Sequence, residues 1–132
     1  MQRIYTSRGV NAASELERSA ASLLPFSALK GMDGAVALLL SALEQQQQLV
    51  IVGDFDADGA TSTAVLLSGL KALGFKRVEY LVPNRFEYGY GLTPEMAELA
   101  VAQGAELIIT VDNGISAIDG VALAKKAGVK VL

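Results

Sequence analysis

The sequence predicts an α/β fold, with a Rossmann-like parallel sheet flanked by helices and preceded by an N-terminal helical segment. From Leu49 onward, short β-branched apolar runs alternate with amphipathic segments of helix length, a pattern typical of βαβ units. Two of those runs, 49–52 and 107–111, are apolar at every position except Thr110, as expected for strands covered on both faces. Polar clusters follow three of the runs, and a parallel sheet brings such clusters to one edge.

The first 48 residues are predicted to be helical and to pack on the core as one segment. Asn11 is placed to cap a helix over 12–19, and Asp33 is placed to cap a helix over 34–40, with Pro25 between them. Four apolar residues of the second helix recur at helical spacing and predict one buried stripe. They are Val36, Leu39, Leu40 and Leu43.

The remaining residues, 49–132, are expected to form the α/β domain. We expect four strands, near 49–53, 78–82, 107–111 and 129–132. The helices are expected near 60–73, 94–103 and 117–127. The last strand ends where a polar loop at the same sheet edge should follow, so the chain is expected to be a piece of a larger protein with an incomplete domain.

The composition restricts the classes of function. With 132 residues, of which 52% are hydrophobic, the chain has room for one core of ordinary size. A formal net charge of -3 argues against a free-standing basic nucleic-acid binder, so a polyanion would be approached through metal ions or with help from elsewhere. The chain has no cysteine and no long apolar stretch typical of signal peptides or membrane spans, and the cytoplasm is the default location.

Three alternating aspartates follow the first predicted strand, namely Asp54, Asp56 and Asp58. Carboxylates this close repel one another, and in an apolar setting a cation has to compensate their charge. Because the chain has neither histidine nor cysteine, its ligands are oxygens and suit Mg²⁺, Mn²⁺ or Ca²⁺ better than zinc. Asp112 follows the third strand, so it can share a cation with Asp56 or Asp58. Two ions bridged in this way are typical of phosphoester hydrolysis, where one activates water and the other stabilises the leaving oxygen.

Alternatives to a metal site stay open at this point. Asp58 can simply cap the following helix, and Asp112 can favour a turn with the two residues after it. The stretch 54–59 matches the start of an EF-hand loop, but its twelfth position is Val65 instead of glutamate, and a strand precedes it. A haloacid-dehalogenase-like phosphatase also begins with two aspartates after a first strand, although the residues that follow here depart from its motif.

Candidate substrate contacts lie at the same edge. The helix after the aspartates presents backbone N–H groups with the hydroxyls of Thr61 and Ser62, which can seat a phosphate or only start the helix. Arg85 follows the second strand, where its guanidinium can clamp phosphate oxygens or pair with Glu87. The glycine-rich loop after it carries aromatic residues such as Tyr90, whose ring can stack on a base or pack on the sheet edge.

Three motifs carry a resemblance to a known family. They are Val52-Gly53-Asp54-Phe55-Asp56-Ala57-Asp58-Gly59-Ala60-Thr61-Ser62-Thr63-Ala64, then Val82-Pro83-Asn84-Arg85-Phe86 with Gly89-Tyr90-Gly91-Leu92, and Thr110-Val111-Asp112-Asn113-Gly114-Ile115-Ser116. In these motifs and their spacing, the chain resembles the amino-terminal part of the bacterial single-strand-specific exonucleases of the DHH phosphoesterase family. The stretches 7–10, 15–17 and 23–25 are similar too, so the resemblance spans nearly the whole chain.

The resemblance implies a metal-dependent phosphodiesterase that degrades single-stranded DNA from its 5′ end in recombination and repair. Its cofactor would be Mg²⁺ or Mn²⁺, with two ions in the complete protein, and its partners a single-strand-binding protein and a helicase. The second motif implies that Asn84 and Arg85 contact the substrate. The implied metal ligands are Asp54, Asp56, Asp58 and Asp112, of which the last three are also expected to be catalytic and Asp54 ranks lowest.

Two features depart from the family's pattern. The Asp-His-His motif that names the family should follow the strand ending at Leu132, and the chain has no histidine, so the site is expected to be incomplete and the chain inactive by itself. Tyr88 stands where an acidic residue is common. Two other functions stay open, a DHH-type phosphoesterase acting on short oligonucleotides or pyrophosphate, and a non-catalytic metal-binding or interaction domain.

Overall fold

The structure is a computed structural model that describes residues 2–17 and 19–132, without the side chains of Gln2 and Arg85. The chain divides into two compact units, Met1–Gly34 and Ala35–Leu132. The sequence places the boundary later, after residue 48. The difference arises because Leu39, Ala42 and Leu43 pack into the core of the second unit, so most of their helix belongs to that unit.

The first unit is built from short helical pieces. Helix α1 spans Gln2–Ser7, and three 3₁₀ turns follow at Ala13–Leu16, Ala20–Ser22 and Phe26–Ala28. Within 12–19, the structure describes all residues except 18, and there the predicted helix is replaced by the short turn at Ala13–Leu16. Asn11 does not cap it, since the cap position is Ala12 and the Asn11 side chain donates to the carbonyl of Gly9 at 2.9 Å. Instead, Glu15 Oε1 accepts from the N–H groups of Asn11 and Ala12, at 2.9 and 2.8 Å.

The second unit is a four-stranded parallel sheet flanked by helices, which confirms the predicted fold class. The strands are β1 (Leu49–Val52), β2 (Val78–Leu81), β3 (Leu107–Thr110) and β4 (Lys130–Val131). The helices are α2 (Met32–Glu44), which begins just before this unit, α3 (Ala57–Ala72), α4 (Arg85–Tyr88), α5 (Pro94–Ala102) and α6 (Ile118–Lys126). The strand order is β2-β1-β3-β4, with every neighbouring pair parallel.

Strand β1 lies inside the sheet and is buried along its whole length. Val50 packs in a core with residues of α5 and α6, and Ile51 packs in a second core with residues of α2 and α3. Neighbouring residues of a strand face opposite sides, so a strand covered on both sides needs an apolar residue at every position. This is why the consecutive apolar run predicts β1 correctly.

Helix α2 differs from its prediction. It begins at Met32, so Asp33 lies in its first turn. Val36 and Leu40 are 46% and 55% exposed, and the prediction that they belong to a buried stripe is wrong. The residues that pack into the core are Leu38, Leu39, Ala42 and Leu43. Apolar residues occur around most of this helix, so their spacing alone does not identify the side that meets the sheet.

The helices of the described residues have at most 16 residues. None of them is, by itself, long and apolar enough to cross a membrane, although one bent pair, Ala20–Ala28 with Met32–Glu44, meets the criteria of length and composition.

Candidate metal centre

The carboxyl ends of β1 and β3 lie side by side. Val52, the last residue of β1, is opposite Thr110, the last residue of β3, and the Val52 carbonyl accepts from the N–H of Val111 at 3.1 Å. The loops that leave the two strands therefore start at neighbouring points of one sheet edge. The first loop carries Asp54 and Asp56, and the second carries Asp112.

Three aspartates form a compact group at this edge, which we call the acid cluster. One carboxylate oxygen from each of Asp54, Asp56 and Asp112 lies within 4.8 Å of the other two. Asp54 is only 1% exposed, whereas Asp56 and Asp112 are exposed. Oxygens of this kind and spacing suit a hard divalent ion, which would also relieve the repulsion between the carboxylates.

Asp58 is the candidate ligand that lies outside the acid cluster. It occupies the first turn of α3. Together with Asp112 it lines an open depression, whose other walls are Thr61, Ser62 and Val65. The most buried of the four candidate acids is Asp54, the one that the resemblance ranks lowest. Which of these acids bind an ion directly stays a prediction.

The start of α3 positions Asp56. Its Oδ1 accepts from the N–H groups of Asp58 and Gly59, each at 3.1 Å, so Asp56 is the N-cap of the helix. The sequence analysis proposes Asp58 as the cap and a helix that starts near residue 60. In the structure the helix starts at Ala57 and its cap is Asp56. An anionic cap is favoured because the helix dipole places partial positive charge at this end.

Asp54 is held against the same turn of α3. Its Oδ1 accepts from the N–H of Phe55 at 2.8 Å. A Cβ atom added at Gly59 would lie 2.7 Å from the Cα of Asp54 and would collide with the Asp54 carbonyl group. Only glycine allows the loop and the helix to approach this closely. A Cβ at Gly53 would likewise collide with the hydroxyl of Thr63, so two glycines set the spacing around the acids.

The pKa of Asp112 is raised above its ordinary value. Although the side chain is exposed by area, partial removal of its carboxylate from water is the largest cause, followed by the negative charges of Asp56 and Asp58. A hydrogen bond with the Asp56 side chain and the charge of Asp54 raise the pKa further. The ionised form of Asp112 is therefore less favourable here than in a free aspartate, and a bound cation would offset this effect.

Asp112 also has an unusual backbone conformation. Its φ is 60°, in the left-handed region that residues with a side chain rarely adopt. The hydroxyl of Tyr90 donates to the Asp112 carbonyl at 2.7 Å. The next residue, Asn113, donates through Nδ2 to the carbonyls of Val52 and Val111, at 3.0 and 2.8 Å. From the sequence, Asn113 is only a turn residue and Tyr90 is only a candidate for stacking or packing. Their bonds to the carbonyls of Val52 and Asp112 depend on the tertiary structure.

The candidate substrate contacts lie on α3 and at the start of α4. Thr61 and Ser62 each donate a hydroxyl to the α3 carbonyl four residues earlier, at 2.8 and 2.6 Å, a common arrangement inside helices. Asn84 Oδ1 accepts from the N–H of Phe86 at 3.1 Å and caps α4, a helix that the sequence analysis missed. The side chain of Arg85 lies outside the described residues. The substrate roles of these residues remain predictions.

Known proteins are similar to this chain in both sequence and fold. The chain is 54% identical over all 132 residues to the single-stranded-DNA-specific exonuclease RecJ of Salmonella typhimurium, and it spans 23% of the length of that protein. A crystal structure of exonuclease RecJ bound to manganese is similar with a TM-score of 0.72 and 41% identity, over 83% of this chain and 27% of that one. The crystal structure of RecJ from Thermus thermophilus in complex with Mn²⁺ gives a TM-score of 0.67 and 35% identity, over 96% of this chain and 17% of that one.

The match to a family covers the α/β region that carries the acid cluster. The family model described as the DHH family, N-terminal domain, matches residues 48–132, which is more than half of the sequence. These residues include all four strands of the sheet and all three motifs of the sequence analysis. The chain therefore belongs to the DHH family.

Proposed function

We propose that this chain forms the metal-binding part of an exonuclease that degrades single-stranded DNA from its 5′ end in recombination and repair. The observation that carries the proposal is the acid cluster at the carboxyl edge of the sheet. The similarity to RecJ over all 132 residues favours single-stranded DNA over short oligonucleotides or pyrophosphate as the substrate. A non-catalytic metal-binding domain is the alternative that the experiment has to exclude.

The proposed cofactor is Mg²⁺ or Mn²⁺, with two ions in the complete protein. The acid cluster fits such an ion because its donors are carboxylate oxygens, and because the raised pKa of Asp112 indicates charge that needs compensation. Bound ions of this kind lower the pKa of a water molecule and stabilise negative charge on a leaving oxygen. Asp54, Asp56 and Asp112 would hold one ion, and Asp58 would contribute from the depression that it shares with Asp112.

Asp56, Asp58 and Asp112 are the proposed catalytic acids. The scissile phosphate is proposed to enter the open depression between Asp58 and Asp112, since this depression borders the acid cluster. Thr61 and Ser62 line the same depression and would contact the substrate there. Asn84 and Arg85 lie at the start of α4, after β2, and are proposed to contact the DNA backbone, with the guanidinium binding a phosphate.

In the whole protein, residues 1–48 are proposed to form a helical segment that packs on the α/β domain of residues 49–132. We also propose a cytoplasmic location. A single-strand-binding protein and a helicase are the proposed partners, because DNA has to be unwound and kept single-stranded before this enzyme can digest it.

The test uses the full-length protein, Mn²⁺ and a 5′-phosphorylated single strand. Mononucleotides are expected to be released from the 5′ end. Asp56→Ala and Asp112→Ala should each lower the rate by more than about a hundredfold, since even the outer partners of metal ligands contribute about 10- to 100-fold. Glu106→Ala is the matched control, because it removes an acid at the opposite end of the sheet.

Three results would contradict the proposal. Release from the 3′ end would refute the polarity, and turnover confined to short oligonucleotides or pyrophosphate would refute the substrate. No digestion by the wild type with either metal would favour the non-catalytic domain.

A further inference from the structure

Two residues outside the acid cluster hold the segment that carries Asp112. Asn113 Nδ2 donates to the carbonyl of Val52 at 3.0 Å and to that of Val111 at 2.8 Å. Val52 is the last residue of β1, and Val111 directly precedes Asp112. One amide group therefore ties the β3 loop, which carries Asp112, to the end of the strand that leads to Asp54.

The orientation of the Asn113 amide is fixed by its neighbours. Both of its acceptors are carbonyl oxygens, so the NH₂ group has to face them, because a flipped amide would point its oxygen at two other oxygens. Its Oδ1 is buried and has no hydrogen-bond partner within residues 2–17 and 19–132. On that side lies Gly91, where an added Cβ would be 3.1 Å from the Asn113 side chain and where φ is +69°. The amide is thus held between the two strand ends and the loop before α5.

Tyr90 fixes the backbone of Asp112 from the same loop. Its hydroxyl donates to the Asp112 carbonyl at 2.7 Å. Asp112 has a φ of 60°, a conformation that is unfavourable for a residue with a side chain and that persists only where its surroundings hold it. The direction of the Asp112 side chain depends on this backbone conformation.

We propose that Asn113 and Tyr90 are positioning residues that hold Asp112 where it shares a divalent ion with Asp54 and Asp56. This inference rests on the proposed function, since it assumes that the acid cluster binds the ion. It adds that the loop of Gly89–Gly91, next to the candidate substrate contacts, sets the geometry of the metal site through Tyr90. Neither side chain is proposed to touch the ion.

A purely structural role is the competing explanation, and the amino end of the sheet provides the control for it. There, Glu106 Oε2 accepts from the N–H of Gln48 at 2.8 Å, so another side chain ties the β1 and β3 ends together. Removal of either side-chain hydrogen bond should lower stability, but only removal of the Asn113 side chain should weaken metal binding. Tyr80 is the control for Tyr90, since it is also a tyrosine and each of them is 54% exposed.

The experiment is calorimetric titration of the full-length protein with Mn²⁺, combined with thermal unfolding of each metal-free variant. Asn113→Ala is expected to weaken Mn²⁺ binding about tenfold or more, as loss of an outer partner of a ligand does. Tyr90→Phe removes only one hydroxyl and should weaken binding about fivefold, the effect of about one net hydrogen bond. Glu106→Ala and Tyr80→Phe should bind as the wild type does.

The outcomes separate the inference from the proposed function. If the wild type does not bind Mn²⁺, or if Asp112→Asn binds it equally well, the metal site itself is refuted together with the inference. If Asp112→Asn abolishes binding but Asn113→Ala and Tyr90→Phe bind normally, only the inference is overturned. Equal weakening by Glu106→Ala would also overturn it, because general destabilisation would then explain the effect. Should Asn113→Ala fail to fold, Tyr90→Phe decides, since it keeps the ring and removes one exposed hydroxyl.

Discussion

The acidic side chains at the two ends of the β1–β3 strand pair have different neighbours. At the amino end, Glu106 accepts from the N–H of Gln48 at 2.8 Å and lies 3.8 Å from Nη1 of Arg77. At the carboxyl end, the neutral side chain of Asn113 ties the strands, and the acid cluster brings three carboxylates together. An acid beside a donor and a cation is compensated within the chain, whereas converging acids need a cation from outside. Glu106 therefore helps to hold the fold together, whereas the three aspartates of the acid cluster are suited to bind a cation.

The largest expected effect comes from Asp112→Asn. Loss of one carboxylate from the acid cluster should weaken Mn²⁺ binding by more than about a hundredfold, beyond the effect of an outer partner. The metal-free chain should become more stable, because the substitution removes a charge that is disfavoured by partial removal from water and by the neighbouring carboxylates. Mn²⁺ titration and thermal unfolding measure the two effects.

Glu106→Gln is the matched control, since it neutralises an acid at the amino end. It should leave Mn²⁺ binding unchanged and should not stabilise the chain. If both variants behaved alike, the distinction between the two ends of the sheet would be wrong.

The second prediction concerns the close approach between α3 and the acid loop. Gly59→Ala should destabilise the chain by about 1–3 kcal/mol, the usual cost of overpacking, because the new methyl group meets the backbone of Asp54. Gly69→Ala is the control in the same helix, where nothing lies within 4 Å of the added atom. It should stabilise the chain by up to about 1 kcal/mol through helix propensity. Denaturant unfolding measures both, and destabilisation by both variants alike would contradict the explanation.

The sequence predicted the parts of the structure that depend on local pattern. The apolar run of β1 and the alternation after it were sufficient for the parallel sheet, and the sheet then required Asp56 and Asp112 to approach each other. The buried face of α2 could not be predicted, because its apolar residues occur on several sides and tertiary packing selects one of them. The short α4 was missed because a four-residue helix capped by Asn84 has almost no periodic signal.

Within the site, the features that the sequence could not predict also depend on tertiary structure. Asp54, Asp56 and Asp58 alternate in sequence, but the start of α3 turns the chain at Asp56, so Asp58 leaves the acid cluster while Asp54 stays in it. In the sequence, Asn113 looks like an ordinary turn residue. Its positioning role cannot be read there, because one of its acceptors is a carbonyl 61 residues away. Contacts over such a separation follow from the register of the strands, which is set by the whole sheet.

The third prediction compares the two partners at the amino end. Glu106→Ala should cost about 1–3 kcal/mol of unfolding free energy, because it leaves the N–H of Gln48 without its acceptor. Arg77→Ala should cost less than about 1 kcal/mol, since the ion pair is 3.8 Å long and its side chains are 57% and 47% exposed. Denaturant unfolding of both variants, with Mn²⁺ titration as the second readout, tests the comparison. A larger loss for Arg77→Ala would mean that charge pairing, and not the backbone bond, holds this end.

The smallest expected effect is a pH dependence of the unfolding free energy, which arises from Asp112 at the carboxyl end of the sheet. Because the pKa of Asp112 is raised in the folded chain, the folded state binds this proton more tightly than the unfolded state. The resulting stabilisation is complete below the ordinary aspartate value of 3.8 and is lost as the pH rises through the raised pKa. Other carboxyl groups titrate in the same range, so the quantity to measure is the difference in unfolding free energy between the wild type and Asp112→Asn at each pH.

That difference should grow in favour of Asp112→Asn as the pH rises above 3.8 in metal-free buffer. Saturating Mn²⁺ should reverse its sign at neutral pH, because the ion binds the folded wild type and stabilises it in proportion to the logarithm of its concentration relative to the dissociation constant. A difference that stayed constant with pH would mean that Asp112 ionises freely beside Asp56. The acid cluster would then not need a cation, and the contrast between the two ends of the sheet would lose its electrostatic basis.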